Sequence, residues 1–407
     1  METIVPLNFC PLYRTSGSSP ARSLGMAVYE NPAGLPESWN SFIPAQSPWM
    51  KRENLAALSA AEIPGLELQF AVVYNGNIPV AGFCFQTLHA GPEHLHVEAP
   101  QEFLPRMLWN IGFRNHLTVL ILGSLHHNGP GYWKSPVMDT EVFNYALNSV
   151  LRLAAKDTRP DITLLKDTDS LPRSWRRSVS CNSNFAPAPE DIQMQLNLRP
   201  EWQTISDYAA ELSKKYAARF TKTRKAAEGV IVKSLGAEEI QEREAELDSL
   251  YNNILQAAAV KLTRINAKYL YTLKKVLGDD FLVEGWFIGN QLAGFSATFL
   301  RESCNDIFVV GYDAGANAEY KLYHNMLFRG LEQAITMRKA RLMLGRTALE
   351  AKAILGAEAV ESRHLLRVKS RFLRIGIRRA MEAELSGQGE GWKKRNPFSK
   401  SKTLETA

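Results

Sequence analysis

Cysteine is scarce: Cys10, Cys84, Cys181 and Cys304 are spread over 407 residues with no paired spacing. That excludes a disulfide framework and a thiolate metal knuckle, and it suits a reducing cytoplasm. Cys84 and Cys304 fall in or beside strand-like runs and are expected as buried thiols. Long apolar runs are missing as well, so no membrane-crossing helix is expected. The opening Met1 to Cys10 has no basic start and no sustained apolar stretch, so no secretory signal is expected. His89, His94 and His96 share a Gly/Pro-containing loop with Glu93, and no second cluster completes a ligand set, so no metal site is expected. The glycine-rich stretch Gly123 to Trp133 is followed by no Gly-Lys-Ser/Thr, which excludes a Walker loop.

The remainder is ordinary globular composition, 45% hydrophobic, enough to bury one large or two ordinary cores. A net charge of +6 and a pI near 9.0 suit an acidic ligand or surface, or simply a basic tail.

The chain is organised around Phe281 to Gly356. Two apolar, aromatic runs flank Gly289-Asn290, a pair that tolerates positive φ and so marks a hairpin. A strand over Ile307 to Tyr312 follows, then the loop Asp313 to Asn317, then a helix marked by Tyr320, Tyr323, Leu327, Leu331 and Ile335 at helical spacing. Ala340 to Leu344 reads as a buried strand that breaks at Gly345-Arg346-Thr347 into a segment bearing Lys352.

The same order occurs earlier. Phe70 to Phe85 carries Gly76-Asn77 and Ala81-Gly82-Phe83, matching Gly289-Asn290 and Ala293-Gly294-Phe295. A helix over Val142 to Ala155 and a strand over Ile162 to Leu165 follow, as Tyr320 to Arg338 and Leu342 to Leu344 follow the later hairpin. A shared order in both halves implies a duplicated domain.

Four regions are expected: an irregular N-terminal arm over residues 1–65 held by Trp39, Phe42 and Trp49, a first domain over 66–190, a second over 191–360, and a basic helix with a flexible tail over 361–407. Leu117 to Leu122 is the central strand of the first half, and the glycine-rich loop after it is open to two readings, a phosphate cradle or a plain turn. Thr204 with Asp207 resembles a capping box at the start of a helical region whose apolar face holds Tyr208, Leu212, Tyr216 and Phe220. Lys214, Lys215, Arg219, Lys222, Arg224 and Lys225 crowd its other faces, either to receive the phosphates of a carrier or as a solvated basic surface. Arg363 to Arg379 reads as a basic amphipathic helix that touches an anionic membrane or packs on the domain, and Trp392 to Phe398 is placed to dock back.

On Trp202 to Tyr208, Leu212 to Arg224, Gly311-Tyr312-Asp313, Tyr323 to Gly330, and Gly345-Arg346-Thr347 with Lys352 and Gly356, the chain resembles tandem acyltransferases of the Gcn5-related N-acetyltransferase (GNAT) superfamily, in particular the bacterial FemAB-like group. The resemblance covers most of the chain after about residue 65. It implies an α/β fold of two tandem GNAT-like domains with mixed central sheets, linked by a basic helix. It also implies direct transfer of an acyl group to an amine, with no covalent enzyme intermediate and no tightly bound cofactor. The donor would be acyl-CoA or acyl-carrier protein. FemAB-like relatives use aminoacyl-tRNA instead, and a binding protein that kept the fold without catalysis is a third reading. Glu284, Tyr312, Asp313 and Tyr323 are the catalytic candidates, and Gly345, Arg346, Thr347 and Lys352 the donor-binding ones, with the second half as the expected site. The chain departs from acetyl-CoA binders where their glycine-rich loop cradles pyrophosphate on a helix N-terminus, for it reads Asp313-Ala-Gly-Ala-Asn-Ala-Glu-Tyr320 there.

Overall fold

The computed structural model describes residues 5–6, 24–90, 117–173, 175–176, 185–188, 191–256, 264–370, 374–375 and 393–399. Two compact units divide the chain. Residues 1–190, 259–265 and 362–382 fall in the first, and 191–258, 266–361 and 383–407 in the second.

The first unit is built on a mixed sheet of β1 (Val5–Pro6), β2 (Leu24–Tyr29), β3 (Leu66–Asn75), β4 (Ile78–Ala90), β5 (Leu117–Leu122), β7 (Ile162–Leu165), β16 (Leu365–Val368) and β8 (Ala186–Pro187), in that spatial order, with β6 (Tyr132–Lys134) beside β4. The hairpin turns at Gly76-Asn77, where Gly76 alone takes positive φ (62°), as a type II′ turn requires. β5 and β7 run parallel, joined by α2 (Thr140–Thr158). Asp139 caps this helix through the amides of Glu141 and Val142. Phe143, Ala146, Leu147, Val150 and Ala154 recur at helical spacing and bury one face against Phe83, Phe85, Leu120 and Leu122.

The sheet's other layer comes from the segment expected as an irregular arm. It contributes β2, paired with β3 along Leu24 to Tyr29, and α1 (Arg52–Ala60). Trp39, Trp49, Met50 and Leu55 cover Phe70, Val72 and Trp133, as the aromatic spacing led one to expect. Burial of side chains this large is worth roughly 2–3 kcal/mol each. The proline and glycine content signalled real turns but hid the short elements between them.

The second unit repeats the plan. Its sheet runs β10 (Val230–Ser234), β11 (Phe281–Ile288), β12 (Gln291–Leu300), β13 (Cys304–Tyr312), β14 (Arg341–Gly345), β9 (Asp191–Asn197) and β15 (Glu358–Ser362). Gly289 takes φ +57° in the β11–β12 turn, as Gly76 does in the first hairpin. β13 and β14 are parallel, joined by α8 (Ala314–Tyr320) and α9 (Leu322–Thr336). Leu327, Phe328, Leu331 and Ile335 of α9 pack with Ile307, Leu342 and Leu344. α3 (Ile205–Glu211) and α4 (Lys214–Ala226) join this core through Tyr208 and Phe220, with Phe220 edge-on to Phe328 at 4.9 Å. Phe281 and Phe299 point to the opposite face, where Phe299 meets Phe308 and Phe308 meets Tyr269 of α7 (Ala267–Leu277). Asp207 reaches back to the Thr204 amide at 2.8 Å, the acidic half of the expected capping box.

β2-β3-β4-β5-β7-β16 thus corresponds position by position to β10-β11-β12-β13-β14-β9. The fold is α/β with two mixed sheets, as expected of a duplicated domain. The basic helix α4 lies in the second unit, within the expected 191–360 region. One expectation changes. Within the stretch read as a basic helix over 363–379, Leu365 to Val368 is instead a strand with neighbours on both sides, β7 and β8. Arg374 and Ile375 are helical, and the rest of 371–392 lies outside the described residues, as do His94, His96, Cys10 and Cys181. Cys84 and Cys304 are buried free thiols. Among the described residues no helix is long and apolar enough to cross a membrane.

The tail docks back onto the second unit. Phe398 bridges Leu212 and lies 5.9 Å from the Trp202 ring, beneath the Arg199 guanidinium. The Ser213 amide donates to Pro397 O, and the Ser399 amide to Glu211 O.

Candidate functional site

The parallel pairs at the centre of the two sheets differ. β5 stays paired with β7 from Val119–Ile162 to Leu122–Leu165, the carboxyl end of both strands. β13 meets β14 only at Cys304–Arg341, Asn305–Leu342 and Asp306–Met343, although it continues to Tyr312. Beyond Asp306, β13 stays with β12 and β14 turns off with β9, so the two strands part toward their carboxyl ends. Phe308 is an extra residue in the β12–β13 register, a bulge where the strands begin to part.

The first unit is closed at the matching place. Lys166 Nζ donates to the carbonyls of Ser124 and His127, at 2.5 and 3.1 Å. Ser124 Oγ accepts from the His126 and His127 amides, Gln86 Oε1 from Leu125, and Asp167 Oδ2 from Gly129. These amides are consumed within the protein. Of the two readings of the Gly123–Trp133 loop, the turn is the one its hydrogen bonds support.

In the second unit, Tyr312 ends β13, half-buried, with its ring 5.9 Å from that of Tyr323 in the first turn of α9. Tyr323 lies 5.8 Å from the His324 ring. Burial raises both phenols, Tyr323 well beyond the ordinary tyrosine range, and so keeps them protonated. His324 is pushed the other way, by burial first and then by Arg219 and Lys321. Its Nε2 is buried without a hydrogen-bond partner.

Asp313, expected as catalytic, caps α8: its Oδ1 accepts from the Ala316 amide at 2.8 Å. Asn317 Oδ1 accepts from the Tyr323 amide at 2.9 Å. Side chains of the chain itself therefore take up amides at the start of both helices, where a pyrophosphate cradle would need them. Lys321, in the left-handed region (φ 54°), makes the corner between α8 and α9. Asn325 holds that corner by donating to the carbonyls of Thr223, Tyr320 and Lys321.

Glu284 lies apart from this group. It is buried, and its Oε1 accepts from Arg329 Nε at 3.1 Å and Gln333 Nε2 at 2.8 Å. Arg329 continues to Glu332, which also meets Arg224, so the carboxylate begins an ionic chain from β11 through α9 to α4.

Where β14 ends, Gly345 (φ +74°) and Ala348 (φ +50°) turn the backbone into α10 (Leu349–Ala353). Thr347 is exposed on this turn and Arg346 half-buried. Lys352 is only 3% exposed. A Cβ on Gly345 would stand 3.9 Å from Lys352 Nζ, so the glycine leaves space beside the amine. Burial, then the Arg346 charge, lower Lys352 to about 7. Gly345, Arg346 and Lys352 thus come together at one lip of the opening, and Tyr312, Tyr323 and His324 gather at the end of the other strand. Asn317 and Asn325 were not foreseen; isolated asparagines in a helical pattern carry no sign of which carbonyls they will meet.

No family model and no curated protein matches the chain in sequence. Its fold is similar to tandem GNAT structures. A tandem GNAT protein from the clavulanic acid biosynthesis pathway superposes with a TM-score of 0.48 at 11% identity, over 81% of this chain and 91% of that one. FemX gives 0.48 at 9%, over 79% and 93%. A GCN5-related N-acetyltransferase from Kribbella flavida gives 0.44 at 12%, over 86% and 72%. Likenesses at this level identify no reaction.

Proposed function

We propose that the chain is an N-acyltransferase, moving an acyl group directly from a thioester to an amine in the opening between β13 and β14. One observation carries this reading: a parallel pair that shares three residue pairs and then separates, with half-buried Arg346 and buried Lys352 just past the end of β14. Past Asp306, β13 has no β14 partner, so its edge, apart from the Tyr312 carbonyl that accepts from Asn253, is open to the extended amide arm of a carrier thioester. Arg346 and Lys352 suit a phosphate on that carrier. An incoming phosphate would restore the charge that burial takes from Lys352.

In the transfer, the amine nitrogen attacks the thioester carbonyl, the C–S bond breaks, and the carrier leaves as a thiol after gaining a proton. Tyr312 and Tyr323, held protonated, are the donors for the oxyanion and the departing sulfur. His324, held neutral, is the group able to take the proton from the amine. Asp313 and Glu284 are assigned positioning roles, because their carboxylates are committed to a helix cap and to Arg329.

The test is amine-dependent thiol release from a panel of acyl thioesters. Turnover that falls at least tenfold in Arg346→Ala, with an unchanged melting temperature, supports the assignment. No thiol release with any thioester, or equal loss of activity and stability, refutes it.

A further inference from the structure

One face of α4 carries Lys215, Arg219 and Lys222 at i, i+4 and i+7, flanked by Lys214 and Lys225, and the helix holds no acidic residue. All five are exposed, and among the described residues none of their side chains forms an ion pair. At 1.5 Å per residue the stripe is about 10 Å long. It is rigidly backed, since Phe220 packs on Tyr208 and Phe328, Arg224 pairs with Glu332, and Asn325 holds the Thr223 carbonyl.

The docked tail extends this surface. Phe398 and Pro397 anchor it, Arg395 pairs with Glu350 of α10, and Lys393 lies exposed beside that pair. Arg395, Lys393 and Arg219 all act on the Glu350 carboxylate. Cations from α4 and from the tail therefore adjoin the helix that bears Lys352.

We propose that this surface docks an acidic carrier protein, which presents its acyl thioester to the β13–β14 opening; this rests on the acyl-transfer reading above. Three observations favour a protein partner. Asp313 and Asn317 already occupy amides at the two helix starts, so the phosphates of a small nucleotide carrier have no backbone cradle there. The cations are spread along an exposed helix, matching the acidic face of a partner helix better than a single phosphate. For RNA, the one aromatic ring beside the stripe, the Tyr216 ring, is partly buried and is covered by Lys215, so no row of open rings is offered for base stacking. The acidic residues Glu238, Glu239, Glu242, Glu244 and Glu246 of the same unit lie on other helices, α5 (Ala237–Glu242) and α6 (Glu244–Gln256).

The test uses the full chain and a Lys215→Glu/Lys222→Glu variant, with Lys215→Gln/Lys222→Gln as a milder control. Each is assayed with an acyl group on acyl-carrier protein and with the same acyl group on N-acetylcysteamine, a carrier-free thioester. The charge reversal should raise KM for the protein-borne donor at least tenfold and leave kcat and the carrier-free reaction unchanged. The glutamine pair should fall between, and added salt should raise the parent's KM but not the reversed variant's. Equal effects on both donors, or none on the protein-borne donor, overturn the proposal. So does transfer from acyl-CoA or aminoacyl-tRNA that is faster than from the carrier protein. Failure of every thioester would sink the acyl-transfer reading itself. Binding of acyl-carrier protein, measured directly on parent and reversed variant, would then still decide the docking surface.

Discussion

Replacing Lys352 by methionine should stabilise the second unit and flatten its pH dependence. The amine is 3% exposed, and burial with Arg346 lowers it to about 7 from an ordinary 10.5. In the unfolded chain it titrates near the ordinary value. Between pH 7 and 10.5 the unfolded state therefore holds more proton than the native one. Stability rises with pH across that window, by up to about 1.4 kcal/mol per pH unit. Below pH 7 both states are protonated and the native state bears the whole cost, roughly 4–5 kcal/mol. Lys352→Met keeps the stem and removes the amine. It should be more stable than the parent by roughly 3–4 kcal/mol at pH 7, with the gap closing toward pH 10. For a unit of this size that is roughly 6–15 °C in Tm. Cys84 and the buried tyrosines titrate in the opposite sense at the alkaline end, but they are common to both proteins and cancel in the difference. Calorimetric scans of both proteins from pH 6 to 10 measure the gap. A gap independent of pH, or a variant less stable than the parent at pH 7, would refute the reasoning.

Other outcomes follow from the same geometry. Binding of a phosphate-bearing thioester to Lys352 should take up a proton between pH 7 and 9, seen as heats that differ between buffers of different ionisation enthalpy. Glu284→Gln weakens the hold on Arg329 and should cost roughly 1–3 kcal/mol in urea unfolding, while the pH profile of kcat/KM keeps its shape; a shifted profile would restore Glu284 as the base. Gly311→Ala would place a Cβ 2.2 Å from the Phe295 ring and should cost roughly 1–3 kcal/mol in the same assay. Leu366→Pro, inside a strand bonded on both sides, should destabilise the first unit by about 3 kcal/mol or more, with the second unit's calorimetric transition unmoved.

The two hairpins, the parallel strands and the helices between them were legible because glycine turns and apolar periodicity are local signals. Leu365 to Val368 was not: a short alternation of leucine and arginine suits either period, and its partners lie about 200 residues earlier. The cationic lip of the site could be read from Gly345-Arg346-Thr347 and Lys352, but the burial that lowers the lysine could not. The partners of Glu284 were not legible, because nothing in β11 announces Arg329 and Gln333, which arrive on a helix more than forty residues later. For Asp313 the cap itself could have been read, since an aspartate just before a helical stretch is a common helix cap.

The exchange of outer strands has a consequence for how the protein is made. β9 is synthesised straight after the first unit's other strands yet lies in the second sheet, and β16, which borders β7, comes only after every strand of the second sheet has been made. At ribosomal speeds of about 5–20 residues per second, the open edge of β7 waits roughly 10–40 s for its neighbour. Throughout that interval the nascent chain carries an unpaired strand edge, the feature that recruits chaperones and invites mispairing. Of the two sheets, the first to be started is therefore the last to be closed.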